Sequence, residues 1–207
     1  YKFCTLILGM KPNEHEYKVM GLSGYSKSKK HIKKVEDIFF EILNFDFNNG
    51  SFVQKNPLKD SYFDLKKRLE GHRFDNIAAG LQNWSSKVTF MWSDFWLKET
   101  QKSSIAFSGG LSMNIKANGD ILNNPRVKQL SVPASGGDES LSAGACYAFS
   151  VENKIAVKQM KSPYLGLKVN TVDKTNFFSR IEETSMSKED FEIIENFNSK
   201  KVAKLLS

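Results

Sequence analysis

Apolar residues recur at three- and four-residue steps along most of the first hundred positions, and that period predicts helices. The longest run covers residues 74–99, where Ile77, Leu81, Trp84, Val88, Met91 and Phe95 form one stripe. Its aromatic side chains read as core, not as a cofactor box. Val35, Ile38, Phe39 and Ile42 fall on one side of a second amphipathic helix over residues 35–43. Residues 60–69 predict a third. At the start, Phe3, Ile7 and Met10 fit the end of a helix that Gly9 stops, and residues 11–24 read as a loop entering a short helix. Residues 45–53 hold apolar positions on either side of Asn49-Gly50, which predicts a hairpin.

After residue 100 the pattern changes to short apolar strands that end in glycine pairs. The first unit is Ile105-Ala106-Phe107-Ser108-Gly109-Gly110-Leu111-Ser112-Met113-Asn114; the second is Leu130-Ser131-Val132-Pro133-Ala134-Ser135-Gly136-Gly137-Asp138-Glu139. Each predicts strand, turn and helix. Leu111, Ile115 and Leu122 suggest the apolar face of the first helix, ended by Asn123-Asn124-Pro125, and residues 139–149 predict the second. Glycines let backbone amides approach a ligand with no Cβ in the way, and a following helix aims free N–H groups at the same point. Two such units in tandem place two ligand-facing turns at one edge of one sheet. Each turn alone also reads as a plain connection. Asn114 is a helix cap or a ribose or phosphate partner. Asp138 is an N-cap and first-turn carboxylate, or a hard oxygen ligand to a metal beside phosphates.

Composition narrows this only slightly. The chain has 207 residues, 40% of them hydrophobic, enough for one cored domain or one domain and part of another. It starts at Tyr1, which suggests a piece of a longer protein. A net charge of +7 fits an anionic ligand. Lys27, Lys29, Lys30, Lys33 and Lys34 around His31 read as a solvated face. No nucleic-acid motif and no aromatic–basic interleaving is present. The most apolar stretch contains Asp75, Lys87 and Asp94, so it does not span a membrane. Cys4 and Cys146 lack metal-ligand spacing, Cys146 reads as a small core residue, and a reduced, cytoplasmic setting follows. His15, Glu16 and Lys18 are candidates for a polar site; the bland reading is a solvated loop with Glu14 or Glu16 in a first helical turn.

Three motifs carry a family resemblance: Pro12-Asn13-Glu14-His15-Glu16-Tyr17-Lys18-Val19-Met20-Gly21-Leu22, Ser108-Gly109-Gly110-Leu111-Ser112-Met113-Asn114, and Pro133-Ala134-Ser135-Gly136-Gly137-Asp138-Glu139-Ser140. Ala78-Ala79-Gly80-Leu81-Gln82 is a weaker echo. In order and spacing these resemble the NodU/CmcH-type carbamoyltransferases. The resemblance implies an α/β fold, an actin-like ATPase (ASKHA, ribonuclease H-like) domain represented mainly by its C-terminal half over residues 1–150. Residues 151–207 would be a linker and the start of a second, YrdC-like domain, with Pro163-Tyr164-Leu165-Gly166 at its entry. There Ser187 reads as an N-cap, followed by the apolar face Phe191, Ile194, Phe197, Val202 and Leu205.

The resemblance further implies an ATP-dependent O-carbamoyltransferase that uses carbamoyl phosphate, passes through carbamoyl-adenylate and carbamoylates a hydroxyl-bearing small molecule or sugar. Gly109, Gly110, Asn114 and Gly137 would bind the nucleotide, and Asp138 would ligate a divalent metal, iron or magnesium. The family's metal-binding histidines would lie upstream; His15, His31 and His72 lack their spacing. The 207 residues alone are therefore expected to be inactive. Three rivals remain: a sugar kinase of the same superfamily, separable by ADP rather than AMP as product; a tRNA threonylcarbamoyl-transferring cousin; and a nucleotide-binding module without chemistry.

Overall fold

The computed structural model of the protein describes residues 1–157 and Lys204. The chain divides into two units, Tyr1–Lys158 and Gln159–Ser207. The first is a mixed α/β unit. The expected second-domain entry at residues 163–166 and the helix after Ser187 lie outside the described residues.

Helix α1 (Lys2–Ile7) ends at Gly9, whose φ of +75° suits a residue without a Cβ. Its buried side chains are Cys4 and Thr5; of the apolar face expected from Phe3, Ile7 and Met10, Ile7 and Met10 pack partly buried against the core and Phe3 is exposed. The motif that begins at Pro12 closes its own turn before α2 (Glu16–Leu22). Lys11 N donates to His15 Nδ1 at 3.1 Å, Asn13 N donates to Glu16 Oε1 at 2.8 Å, and Asn13 sits at φ +65°. His15 and Glu16 therefore shape the loop locally, with Glu16 in the first helical turn.

Helix α3 (Lys29–Ile42) starts inside the lysine run, whose side chains stay exposed, and Lys33 pairs with Asp37. Its buried side is Val35, Glu36 and Phe39. Strands β1 (Asn44–Asp46) and β2 (Ser51–Val53) form the expected hairpin, with Phe45 opposite Phe52. Gly50 takes φ +62°, and a Cβ there would come within 2.3 Å of the Phe95 ring. Asp60 Oδ1 accepts from the N–H groups of Tyr62 and Phe63, at 2.9 and 2.5 Å, and so starts α4 (Phe63–Leu69).

Helix α5 (Phe74–Thr100) is the spine of the unit. Asp75 in its first turn favours the positive end of the helix dipole, and Gln101 closes it in a left-handed cap at φ 55°. Val19, Val35, Phe39, Leu65, Leu69, Ile77, Ala78 and Leu81 meet in one core with Cys4. Full burial of a side chain such as Leu81 stabilises by roughly 1.5–3 kcal/mol. The approach of α3 to α5 depends on Gly80: a Cβ there would lie 2.6 Å from Val35 Cβ and 2.9 Å from the Glu36 backbone nitrogen. Beside it, the Glu36 carboxylate is buried and accepts from Lys87 Nζ at 2.7 Å, so the buried charge is partnered.

The C-terminal part of the unit is a βαβ arrangement. Strand β3 (Ser104–Ala106) pairs in parallel with β4 (Gln129–Ser131), Ile105 opposite Leu130, and α6 (Ile115–Leu122) connects them. The buried face of α6 is Ala117 and Ile121, not Leu111, Ile115 and Leu122, which stand exposed. Sequence spacing allowed either face; packing on α5 selects the smaller one. Helix α7 (Leu141–Glu152) follows a 3-10 turn at Asp138–Ser140 and buries none of its residues. Cys146 is therefore an exposed thiol and not a core residue. Among the described residues no helix is long and apolar enough to cross a membrane.

Candidate functional site: two abutting glycine turns

Because β3 and β4 run parallel, the turns that follow them leave the sheet at the same end. Phe107 N donates to Ser131 O at 2.9 Å and carries the ladder one step toward the turns. Phe107 is buried and its ring centroid lies 6.4 Å from that of Trp92 on α5.

The first turn opens at Gly109, held at φ +95°. Ser112 N donates to Gly109 O at 2.9 Å, and Gly110–Met113 form one 3-10 turn. Among the described residues nothing lies within 4 Å of where a Cβ would stand at Gly109 or Gly110, so this turn presents bare backbone outward. That is the surface a phosphate group needs for close approach to main-chain amides.

Asn114 ends the turn and caps α6. Its Oδ1 accepts from Ala117 N at 3.1 Å and from Gln82 Nε2 at 3.1 Å. Its Nδ2 donates to Gln82 Oε1 at 3.1 Å and to the Tyr1 hydroxyl at 3.2 Å. The side chain is buried, and all four of its hydrogen-bonding positions are used within the protein. Of the two readings open in the sequence, the structure shows the cap. Burial pushes the Tyr1 phenol up to about 12, against the opposing effect of its bonds to Ser85 and Asn114, so it remains a neutral partner in this network.

The second turn touches the first. Gly136 is buried, and a Cβ there would come within 2.1 Å of Ser112 Oγ and 3.1 Å of Gly109 O. Ser112 is fully buried, yet among the described residues its Oγ has no hydrogen-bond partner. A bare hydroxyl thus lies at the seam between the turns.

Gly137 precedes the 3-10 turn, where a Cβ would meet Glu139 Oε2 at 2.4 Å. The Glu139 carboxylate folds back on this turn: the Ser135 hydroxyl, then the backbone N–H groups of Glu139 and Gly137, hold its carboxyl below its ordinary value. Asp138 is exposed in the first turn. The cap position is Gly137, so Asp138 is not the N-cap.

Among the described residues no three His, Cys, Asp or Glu side chains come together to hold a metal. Asp138 by itself is one carboxylate, short of a coordination set, and the described residues do not make a metal site.

Sequence reasoning missed the buried polar side of α5. Gln82, Ser85, Ser86, Thr89 and Ser93 are all buried there. Their positions interrupt an apolar stripe, and the only sequence signal for Gln82 was its place at the end of the motif that begins at Ala78.

A mixed α/β unit with paired glycine turns at one end of a parallel strand pair defines a structural class of α/β domains. Within that class the chain belongs to the family described as "Carbamoyltransferase N-terminus", whose model matches residues 1–147. It is similar to an uncharacterised protein of Synechocystis sp., 25% identical over 185 residues, covering 80% of this chain and 30% of that protein. It is also similar to an uncharacterised protein of Methanocaldococcus jannaschii, 28% identical over 171 residues, covering 82% of this chain and 32% of that protein. The chain thus spans about a third of the length of these curated relatives.

Proposed function

We propose that the chain is the nucleotide-holding part of an actin-like domain in an ATP-dependent O-carbamoyltransferase. The observation that carries this reading is the pair of turns at one sheet end: bare backbone at Gly109 and Gly110, with Gly136 packed against Ser112. Membership of the carbamoyltransferase family supports the group transferred. In this reading ATP and carbamoyl phosphate supply a carbamoyl-adenylate, and a hydroxyl-bearing acceptor, a small molecule or sugar, attacks its carbonyl carbon. The new bond is acceptor oxygen to carbon; the bond that breaks joins that carbon to the adenylate oxygen, and AMP leaves with the electron pair as the hydroxyl proton is lost.

The contribution of this chain is placement. Main-chain amides at Gly109 and Gly110 face the phosphate and offset charge as it develops on the leaving group; Gly137 is the third proposed contact, and its N–H must first exchange the Glu139 carboxylate for the ligand. Asn114 holds the first turn in shape from behind. A rigid turn at a fixed distance from the sheet lowers the entropic cost of aligning adenylate and acceptor. Asp138 is the proposed carboxylate toward a divalent metal, iron or magnesium. The described residues do not complete its ligand set, and no step here depends on that metal. Both cysteines are free thiols, which suits the proposed reducing, cytoplasmic setting.

The test uses the full-length protein with carbamoyl phosphate, ATP and a panel of hydroxylated acceptors. The expected product is AMP with a carbamoylated acceptor. Gly110→Val should weaken ATP binding at least roughly tenfold, with a far smaller change in thermal stability, because the new side chain fills ligand space. ADP as the product would assign a kinase instead, and unchanged affinity would make the turn purely structural.

A further inference from the structure

We infer that Gln82 is a positioning residue for the first glycine turn: from the middle of α5 it fixes the orientation of Asn114 and thereby the placement of residues 109–113. The inference rests on the nucleotide reading above for its consequence, though not for its geometry.

Gln82 is fully buried on a 27-residue helix. Its amide is paired head to tail with that of Asn114, each donating one bond to the other at 3.1 Å. The second Nε2 hydrogen goes to Ser86 Oγ at 3.0 Å, and Oε1 also accepts from the Tyr1 hydroxyl at 2.5 Å. All four positions of the Gln82 amide are satisfied, 32 residues away in sequence from the turn it holds.

The network has one sense only. Ser85, Ser86 and Tyr1 are hydroxyls that can donate or accept, and either amide can flip. Ala117 N–H cannot change. It requires Asn114 to turn Oδ1 toward α6, which requires Gln82 to turn Nε2 toward that oxygen, which makes Tyr1 the donor to Oε1. A flip anywhere would set donor against donor or acceptor against acceptor inside the protein, where an unpaired polar group is costly.

Asn114 transmits this order to the turn. Its N–H bonds Leu111 O at 3.0 Å, and its carbonyl accepts from Asn118 N at 3.0 Å. Asn118 Nδ2 in turn donates to Ser112 O at 2.7 Å. The far end of α6 is tied to the same spine: Asn124 Nδ2 and Arg126 Nε both donate to Asp94 Oδ1, at 2.7 and 3.1 Å. The turn is thus registered to α5 at two points, Gln82 and Asp94. Among the described residues nothing comparable reaches Gly110 from its solvent side.

The experiment compares Gln82→Met, Ser86→Ala and wild type in the full-length protein. Methionine keeps the volume and leaves Asn114 with Ala117 N on Oδ1 and Tyr1 on Nδ2, so the fold is retained. Amide hydrogen exchange and ATP affinity by calorimetry are the readouts. Gln82→Met should speed exchange at residues 110–117 and raise the ATP dissociation constant roughly tenfold, about the worth of one ordered hydrogen bond. Ser86→Ala strands one Nε2 hydrogen of Gln82 on the side away from the turn but keeps its pair with Asn114, so it should lower overall stability while exchange at 110–117 stays in step with the rest of the unit and ATP affinity stays at the wild-type value. Tyr1→Phe keeps the ring and removes one bond to Gln82 and one to Asn114; it should move both readouts in the same direction by less, and if Gln82→Met does not fold it decides whether the Tyr1–Gln82–Asn114 network holds the turn. Exchange that rises evenly over the whole unit, or ATP affinity unchanged while exchange at 110–117 rises, would overturn the inference. If wild type binds no ATP, the nucleotide reading fails by itself, and exchange confined to residues 110–117 still decides whether Gln82 holds the turn.

Discussion

The two glycine turns have nearly the same sequence texture and are held in opposite ways. The first is anchored from inside, by an Asn114 whose amide is saturated by Gln82, Tyr1 and Ala117. The second is anchored by its own surface: Ser135 bonds Glu139, and Ser140 Oγ donates to Gly137 O at 3.0 Å. Helix α6 buries Ala117 and Ile121 against the unit, whereas α7 buries nothing. A turn wired into a spine keeps its shape without a ligand. A turn that bonds only to itself can change shape at little cost, since its bonds compete directly with water. Two abutting loops held so differently can therefore divide the work at the proposed site, one as a fixed floor and one as an adjustable wall.

The largest effect that breaks this contrast should come from Asn114→Ala. It removes the α6 cap and strands the Gln82 amide inside the protein, and should cost about 2–4 kcal/mol from the two losses together. Urea unfolding measures it directly. A cost under about 1 kcal/mol would mean that the internal wiring of the first turn contributes little.

Next is the seam. Gly136→Ala should destabilise by roughly 1–3 kcal/mol, because the methyl has no room beside Ser112 Oγ. Ser112→Ala alone should be neutral or stabilising, since its hydroxyl has no partner to lose. In the double variant the penalty should shrink by at least about 0.5 kcal/mol. Simple additivity would show that the turns do not touch in solution.

A third test separates the turns by pH. The phenol of Tyr1 lies at about 12 when folded against an ordinary 10, and burial likewise raises the Cys4 thiol to about 11 from 9. A raised folded value means stability that is complete below the unfolded value and lost as pH climbs through the folded one. Unfolding free energy should stay level to about pH 9 and then fall toward pH 12, by up to roughly 1.4 kcal/mol per pH unit for each group. Tyr1→Phe should remove the part of the slope between 10 and 12. Glu139 in the second turn has the opposite sign: its carboxyl is held below 4.5, so its contribution is present above that value and fades as pH falls. A stability profile without the alkaline decline would remove Tyr1 from the buried network.

The smallest effect belongs to the second turn. Ser135→Ala should raise the Glu139 titration midpoint toward 4.5, read by carboxyl NMR, with no measurable change in melting temperature. A large loss of stability would show that this turn too is wired into the unit.

The helices expected over residues 35–43, 60–69 and 74–99 were legible from their apolar period, with Ile77, Leu81 and Val88 on one face; the structure places them at 29–42, 63–69 and 74–100, the first reaching back into the lysine run. The hairpin followed from Asn49-Gly50, and the family followed from motifs quoted residue by residue. Local sequence also marked the two glycine pairs, and the structure gives Gly109 a left-handed φ and Gly136 a crowded backbone that few other residues suit. What sequence alone could not decide was the partner of each side chain. Asn114 had two roles open, and only the arrival of Gln82 from 32 positions away made it a cap with no free valence. The face of α6 was open too, until α5 packed against Ala117 and Ile121 and left Ile115 in water. Asp138 read as a cap and first-turn carboxylate or as a metal ligand; the chain enters that turn through Gly137, which removes the cap but keeps the first-turn place. Period and turn chemistry are properties of neighbours along the chain, so the sequence determined them. Hydrogen-bond saturation and choice of face depend on residues that meet only after the chain folds, so tertiary structure decided them.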